Sequence, residues 1–376
     1  MTKRLQFYFA STTGLLLCGC ASLPRVDLER RTGGSAALFG QFQAYDGASG
    51  RRIAFADVVR RCRAADVVLF GEQHSDSVCN QLEAQLLAAL AADRRPVALA
   101  MEFFERDTQA SLDAYLANRI DEAAFREQTR QKRAYALSHR PLIELCRSAK
   151  VPVIAANVPR RLLRAYSRSN LEFDVYRAQA EPADQRWLPR SNELIEGRYH
   201  DRFMEIMKRH PPPTSRPAKA LTSAPTSPTT TRPAGSQPPK ERARRSFLAQ
   251  LLWDSTMSES VADFRATYPR RRVLLIVGSF HVAYEGGTQA KLRERRPDDR
   301  VVTIVYRDDT TGRFELAADD RDAGDIVIYG IAPPPKAPAR PPAPTTAPAT
   351  SGERPASAPT TSAPATATAA SSSLDP

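Results

Sequence analysis

The sequence lacks the motifs by which many common enzymes are recognised. It has only 5 cysteines in 376 residues, at spacings that fit neither a zinc motif nor a disulfide framework. A His-Glu-x-x-His metal motif, a Gly-x-Ser-x-Gly nucleophile elbow, a P-loop and a Gly-x-Gly-x-x-Gly fingerprint are all absent. The net charge of +12 is scattered along the chain and not interleaved with aromatic residues, so we expect no nucleic-acid partner.

Long apolar runs are also missing. No stretch of 18 apolar residues occurs, so no transmembrane helix is expected. A shorter, largely apolar run from Leu5 to Leu17 follows a basic N-terminus, as in an export signal. It ends in Leu17-Cys18-Gly19-Cys20, which resembles a bacterial lipobox. We therefore predict a lipoprotein signal peptide over 1–19, a lipid on Cys20 and a polar tether over 20–36.

The residue after Cys20 indicates in which of the two bacterial membranes the lipid is anchored. It is alanine and not aspartate, so retention in the inner membrane is not indicated. We expect a lipid anchor in the bacterial outer membrane, with the protein facing the periplasm.

Proline, by contrast, is abundant and unevenly placed. Of 30 prolines, 21 lie in residues 211–240 and 331–376, where large apolar residues are almost absent. Such segments cannot bury enough surface to offset the entropy of ordering. We predict a disordered Pro/Thr-rich insertion at 211–240 and a disordered tail at 331–376, which leave one domain over 37–330.

Short apolar runs alternate with helical patterns along this domain. Buried strands are predicted at 66–71, 96–101, 151–156, 272–277, 301–305 and 325–329. Helical patterns fill most of the intervening sequence, including a long one over 189–209. The alternation predicts an α/β fold, in which helices flank a central, largely parallel sheet in a single domain with a disordered insertion.

Polar side chains follow four of these strands. Glu72 and His74 follow the first, and Glu102, Asn157 and His281 each follow another. Ligands of open α/β sheets bind beyond the carboxyl ends of the strands, where such residues converge. We therefore predict one polar cleft at this end of the sheet.

The residue types in this cleft leave two kinds of chemistry open. Glu72, His74, Glu102 and His281 suit a divalent transition metal such as manganese, cobalt, zinc or iron, and they also suit general acid–base work. Tyr284 lies three residues after His281. Because a tyrosine or a histidine can ligate haem iron, haem is a second candidate cofactor.

Five motifs occur in order along the chain and together resemble the ChaN-like haem-binding uptake lipoproteins, related to the Tiki and TraB groups. They are Gly71-Glu72-Gln73-His74, Ala100-Met101-Glu102-Phe103-Phe104, Asn157-Val158-Pro159-Arg160, Trp253-Asp254-Ser255-Thr256-Met257 and Gly278-Ser279-Phe280-His281-Val282. The resemblance covers about residues 40–330.

The resemblance implies a lipid-anchored α/β domain that acts in haem or iron uptake, and homodimers that enclose the cofactor. It also implies that Glu72, His74, Glu102 and His281 line the common cleft. Members of this family often carry histidines shortly after the first motif, where this chain has Cys79-Asn80. Our first hypothesis is a haem-binding protein. The alternative is a metal-dependent hydrolase, a Tiki-type metalloprotease or an esterase-like enzyme, that uses the same Glu/His cleft.

Overall fold

The computed structural model describes residues 41–209 and 239–331. The predicted signal peptide, the lipid on Cys20 and the tether all lie outside the described residues, as do nearly all of the predicted insertion and tail. At the end of the predicted insertion, Pro239 and Lys240 already belong to a helix.

The described residues form eight strands and twelve α-helices. The strands are β1 (Phe42–Asp46), β2 (Arg52–Ile53), β3 (Val67–Glu72), β4 (Val97–Glu105), β5 (Val153–Asn157), β6 (Arg272–Gly278), β7 (Val301–Asp308) and β8 (Ile326–Gly330). The helices are α1 (Phe55–Ala64), α2 (Ser77–Ala91), α3 (Gln109–Leu116), α4 (Glu122–Gln128), α5 (Arg133–Leu137), α6 (Arg140–Ala149), α7 (Arg160–Ser169), α8 (Phe173–Gln179), α9 (Pro182–Gln185), α10 (Arg198–Arg209), α11 (Pro239–Thr267) and α12 (Gly287–Arg295).

All eight strands form one sheet in the order β2-β1-β8-β7-β3-β6-β4-β5. Neighbouring strands from β8 to β5 pair in parallel, while β1 and β2 add an antiparallel edge. This confirms the predicted α/β class with its largely parallel sheet. Because β3 and β6 lie in the middle, every one of their residues is buried, which explains their unbroken apolar sequences.

The core lies on both faces of the sheet. Alternate residues of β3 face opposite sides, since successive side chains of a strand point in opposite directions. Val68 and Phe70 pack with one large apolar cluster, whereas Val67 and Leu69 pack with another. Long helices supply the other halves of these clusters, so the parallel sheet is covered on both sides.

One predicted helix is wrong over its first half. The helical pattern over 189–209 becomes helix only from Arg198, where α10 begins. The preceding segment runs without helical hydrogen bonds against α11: the Arg190 amide donates to Glu259 Oε2 at 2.8 Å, and Asn192 Nδ2 donates to the Leu248 carbonyl at 3.1 Å. Side chains and carbonyls of α11 thus take the place of helical partners.

A side chain covers the open edge of the sheet at β5. Gln109 donates its amide to the Val153 carbonyl at 2.8 Å and accepts from the Ala155 amide at 2.7 Å. Its amide therefore occupies the place that a further strand would take. Unpaired strand edges promote self-association, and this contact removes part of that edge.

We expect Gln109→Ala to lower the free energy of unfolding by about 1–3 kcal/mol, because two partly buried hydrogen bonds are lost. The variant should also self-associate more readily in sedimentation experiments, since the edge of β5 is freed. Gln179→Ala, at an exposed position of α8, is the control and should change stability by less than about 0.5 kcal/mol. Equal effects of the two changes would contradict this role of Gln109.

Among the helices in residues 41–209 and 239–331, none combines the length and the apolar character that crossing a membrane requires.

Candidate functional site

The parallel register brings the predicted polar residues to one rim of the sheet. Glu72, the last residue of β3, pairs with Gly278, the last residue of β6. On the next strand, Glu102 Oε2 accepts the Gly278 amide at 2.7 Å. Asn157, at the end of β5, donates to the Glu102 carbonyl at 3.0 Å. The carboxyl-terminal parts of β3, β6, β4 and β5 therefore bring these groups together at one edge of the sheet, with Glu102 three residues before the end of β4, and we call this group of residues the rim cleft.

Glu72 contacts two imidazoles. It is buried, and its two oxygens contact His74 Nδ1 at 2.7 Å and His139 Nε2 at 3.2 Å. Burial alone would raise the pKa of the Glu72 carboxyl, but the hydrogen bonds from His139 and His74 lower it to about 2. Glu72 is therefore an anion. The ring of Phe103 stacks on the imidazole of His139, with centroids 3.8 Å apart, and holds it in place.

His74 is the exposed one of the two imidazoles that contact Glu72. Its side chain is 59% exposed, and its ring lies against Gly278, where a Cβ atom would be only 3.2 Å from His74 Cε1. A side chain at Gly278 would thus press on the ring. The hydrogen bond to Glu72 raises the pKa of His74 and assigns the proton to Nδ1, so that in the neutral ring Nε2 is the acceptor.

His281 takes part in a second, fully buried network. Its Nδ1 contacts Asp254 Oδ1 at 2.7 Å, and Asp254 also accepts from the hydroxyls of Tyr199 and Thr288, each at 2.7 Å. Burial alone would lower the pKa of His281, but Asp254 outweighs it and raises the pKa. His281 Nε2 lies 3.9 Å from Glu102 Oε1, so this network borders the rim cleft.

Tyr284 lies in the loop after β6, three residues beyond His281. The hydroxyl donates to Asp320 Oδ1 at 2.8 Å. Burial and this hydrogen bond raise the pKa of Tyr284, which disfavours a phenolate ligand. The structure therefore engages the hydroxyl of Tyr284 with Asp320 and its ring with neighbouring arginine side chains.

Two residues of this site were missed from the sequence. His139 precedes helix α6 and follows no strand, so its position gave no signal. Asp254 lies inside the Trp-Asp-Ser-Thr-Met motif, and that motif was the available signal. The cofactor contacts predicted for Glu72, His74 and the other site residues remain predictions.

The four predicted metal ligands are already engaged with one another and with their neighbours. Within residues 41–209 and 239–331, no three His, Cys, Asp or Glu side chains are placed so that they could hold a metal ion together. The predicted metal site at Glu72, His74, Glu102 and His281 gains no support from this geometry. The same holds for the alternative of a metal-dependent hydrolase, which rested on those four residues.

Cys79, which stands where related proteins often have histidine, is completely buried in the core. Its thiol contacts Glu83 Oε1 at 3.6 Å, and Glu83 is itself completely buried. Burial, the nearby charge of Glu72 and a hydrogen bond to it raise the pKa of Glu83 well above its usual range. This shift favours the neutral, protonated form of Glu83.

We expect Glu83→Gln to change how stability depends on pH. A carboxyl that stays protonated only in the folded state makes the protein less stable as pH rises above its unfolded pKa of about 4.5. The wild type should lose up to about 1.4 kcal/mol per pH unit relative to the variant, until Glu83 ionises in the folded protein. Urea unfolding at pH 5 and pH 8 measures this difference. Glu127→Gln, at an exposed position of α4, is the control, and identical pH profiles for the wild type and Glu83→Gln would contradict the assignment.

Comparison with models of protein families shows to which family the chain belongs. The model of the family described as "Haem-binding uptake, Tiki superfamily, ChaN" matches residues 58–292, which span β3 to β6 and include Glu72, His74, Glu102, Asn157 and His281. The chain belongs to the ChaN family. Membership supports a haem-binding role and confirms the resemblance drawn from the five sequence motifs. No curated protein matches the chain.

Three solved structures that match this chain have low sequence identity to it and TM-scores below 0.5. A structure of ChaN of Campylobacter jejuni, described as binding haem cofacially, has a TM-score of 0.49 and 15% identity, and the match covers 77% of this chain and 96% of that one. The type III effector HopBA1 has a TM-score of 0.38 and 12% identity, with 74% and 94% covered. A mutant of the erythromycin esterase EreC has a TM-score of 0.38 and 13% identity, with 71% and 77% covered.

Proposed function

We propose that this ChaN-family protein binds haem in the rim cleft, with His74 Nε2 as an axial ligand of the iron. The observation that carries the proposal is the pair of His74 and Glu72, in which a buried carboxylate holds Nδ1 at 2.7 Å while the His74 side chain stays 59% exposed. Histidines that ligate metals usually donate their other ring N–H to a carboxylate or a carbonyl, which orients the ring and raises its basicity. Within the described part of the chain, Nε2 of His74 has no hydrogen-bond partner.

The surroundings of His74 also suit a flat, apolar cofactor. Phe103 lies edge-on to the His74 ring, with centroids 5.6 Å apart, and is only partly buried. Phe280, in the turn after β6, is partly buried as well. Cofactor sites combine such aromatic surface with a few well-placed polar groups. When bound, haem supplies the iron, and the chain's residues bind and orient it.

A haem titration of the purified protein tests this function. We expect a saturable Soret band that differs from that of free haem, because ligation by a histidine changes the electronic state of the iron. No change in the Soret band at excess haem would overturn the proposal.

We also propose that a lipid on Cys20 anchors the protein in the outer membrane, where it faces the periplasm and serves haem or iron uptake. The sequence Leu17-Cys18-Gly19-Cys20 behind an apolar run supports this placement. Detergent partitioning of the protein from whole cells tests it. The wild type should enter the detergent phase and Cys20→Ser the aqueous phase, whereas equal partitioning would contradict a lipid anchor.

A homodimer that encloses the cofactor is the remaining part of the proposal, and its support is the family resemblance. Sedimentation with and without haem tests it. We expect the molecular mass to double when haem is added, and a haem-loaded monomer would contradict this part alone.

A further inference from the structure

Three arginines gather on the ring of Tyr284 at the β7 side of the rim cleft. The guanidinium carbon of Arg202 lies 3.7 Å from the centre of the ring, that of Arg198 lies 4.4 Å away, and that of Arg307 lies 5.7 Å away. Arg198 and Arg202 are four residues apart on α10, so they share one face of that helix. Like charges at this spacing repel each other, yet α10 carries both arginines.

The positive charge of this cluster is not balanced by the residues around it. Arg307 pairs with Asp320 at 3.0 Å. Within residues 41–209 and 239–331, neither Arg198 nor Arg202 pairs with a carboxylate. Burial and the charges of Arg307 and Arg198 lower the pKa of Arg202, which is the response of a cation placed among cations. An incoming anion would relieve this repulsion.

The loop that carries Tyr284 is built to hold its ring in this place. Tyr284 and Glu285 both have φ near +60°, a left-handed conformation that residues other than glycine adopt at a cost. The Tyr284 amide donates to the Ala323 carbonyl at 2.8 Å, and its hydroxyl is held by Asp320. The next residue must be Gly286, since a Cβ atom there would lie 2.6 Å from the His281 carbonyl oxygen. Strain of this kind concentrates at functional sites.

The arginine cluster is continuous with the site of His74. Arg307 Nη1 lies 3.5 Å from Ser279 Oγ, and Ser279 directly follows Gly278, on which the His74 ring rests. Strands β7 and β3 pair in parallel, and Val305 is the strand neighbour of Gly71. Arg307 lies two residues beyond Val305, at the same rim of the sheet. The arginine cluster and the His74 ring are thus linked through the adjacent residues Ser279 and Gly278.

We propose that Arg198, Arg202 and Arg307, stacked around Tyr284, form a carboxylate-binding subsite of the rim cleft. This inference rests on the proposed function, and the carboxylates it assigns to the subsite are the two propionates of haem. Guanidinium groups bind carboxylates through paired, charged hydrogen bonds, and a ring beneath them holds their planes in place. The subsite would orient the cofactor by one edge while His74 binds at its centre.

The test compares haem with its dimethyl ester, which keeps the porphyrin and iron but blocks both carboxylates. We expect the wild type to bind haem at least about tenfold more tightly than the ester, since one charged hydrogen bond corresponds to such a factor. In Arg198→Ala/Arg202→Ala the preference should fall, because only Arg307 remains, while affinity for the ester is unchanged. Arg209→Ala, on the same helix and exposed, is the matched control and should keep the preference.

A second arm, with inorganic phosphate as the probe, is independent of haem. Phosphate should raise the melting temperature of the wild type and of Arg209→Ala more than that of the double variant. If haem does not bind but this difference is seen, the anion subsite stands and the haem function falls. Equal affinities of the wild type for haem and ester would overturn the inference, and so would a double variant that loses both ligands equally. If haem does not bind, the absence of any phosphate effect overturns it too.

Discussion

Asp254→Ala should lower the free energy of unfolding by about 3–5 kcal/mol. Asp254 is completely buried and accepts hydrogen bonds from His281, Tyr199 and Thr288. Removing a carboxylate from a buried ion pair leaves the partner charge unpaired, and here two hydroxyl donors lose their acceptor as well. Urea unfolding at neutral pH measures the change.

Asp263→Ala is the matched control, since it removes the same residue type from the same helix. Asp263 pairs with Arg190 at the surface, where the two side chains are 53% and 65% exposed. Exposed pairs contribute about 0–1 kcal/mol, so we expect the control to stay within that range. A loss at Asp254 no greater than that at Asp263 would show that the buried network does not support the rim cleft.

His74→Ala should weaken haem binding by more than about 100-fold. Loss of a residue that only orients a ligand already costs about 10–100-fold, and this change removes the ligand itself. Glu72→Gln, which removes the orienting carboxylate, should fall within that smaller range. Binding should also weaken as pH falls below the raised pKa of His74, because a proton then competes with iron for the imidazole. Soret titrations at two pH values measure both effects.

His200→Ala is the control for this change. His200 lies on α10, where its ring contacts Phe247 and its Nδ1 lies 3.2 Å from Asp201 Oδ1. We expect its haem affinity to equal that of the wild type at every pH. Equal losses for His74→Ala and His200→Ala would mean that imidazole ligation at the cleft is not what binds haem.

The sheet was predictable because its strands are buried on both faces. Continuous apolar runs such as 272–277 have few other structures open to them, and their alternation with helical patterns dictates parallel pairing. The antiparallel edge of the sheet was harder to predict. The strand β1 and the two-residue β2 have no such runs, and they pair only because β8 presents an antiparallel edge. The segment before Arg198 was mispredicted because its amides bond with another helix and not within its own.

The convergence of Glu72, Glu102 and Gly278 follows from strand order, so the sequence pattern could predict it. The side chains that contact these residues from other elements could not be predicted in this way. His139 reaches Glu72 from a segment 67 residues further along the chain. The arginines on Tyr284 come from α10 and β7, which no local pattern connects. Contacts made by side chains across elements depend on packing, which periodicity alone does not encode.

The most direct test of haem ligation in the rim cleft is to locate the iron. Crystals of the haem-loaded protein, measured at the iron absorption edge, give an anomalous peak at the position of the metal. We expect that peak at coordination distance from His74 Nε2, with electron density for the porphyrin extending toward Arg202. A cavity of about 700 Å³ beside strand β5, lined by residues that include Gln109, Trp187 and Tyr268, offers a different place. An iron peak there, or anywhere remote from His74, would contradict the account.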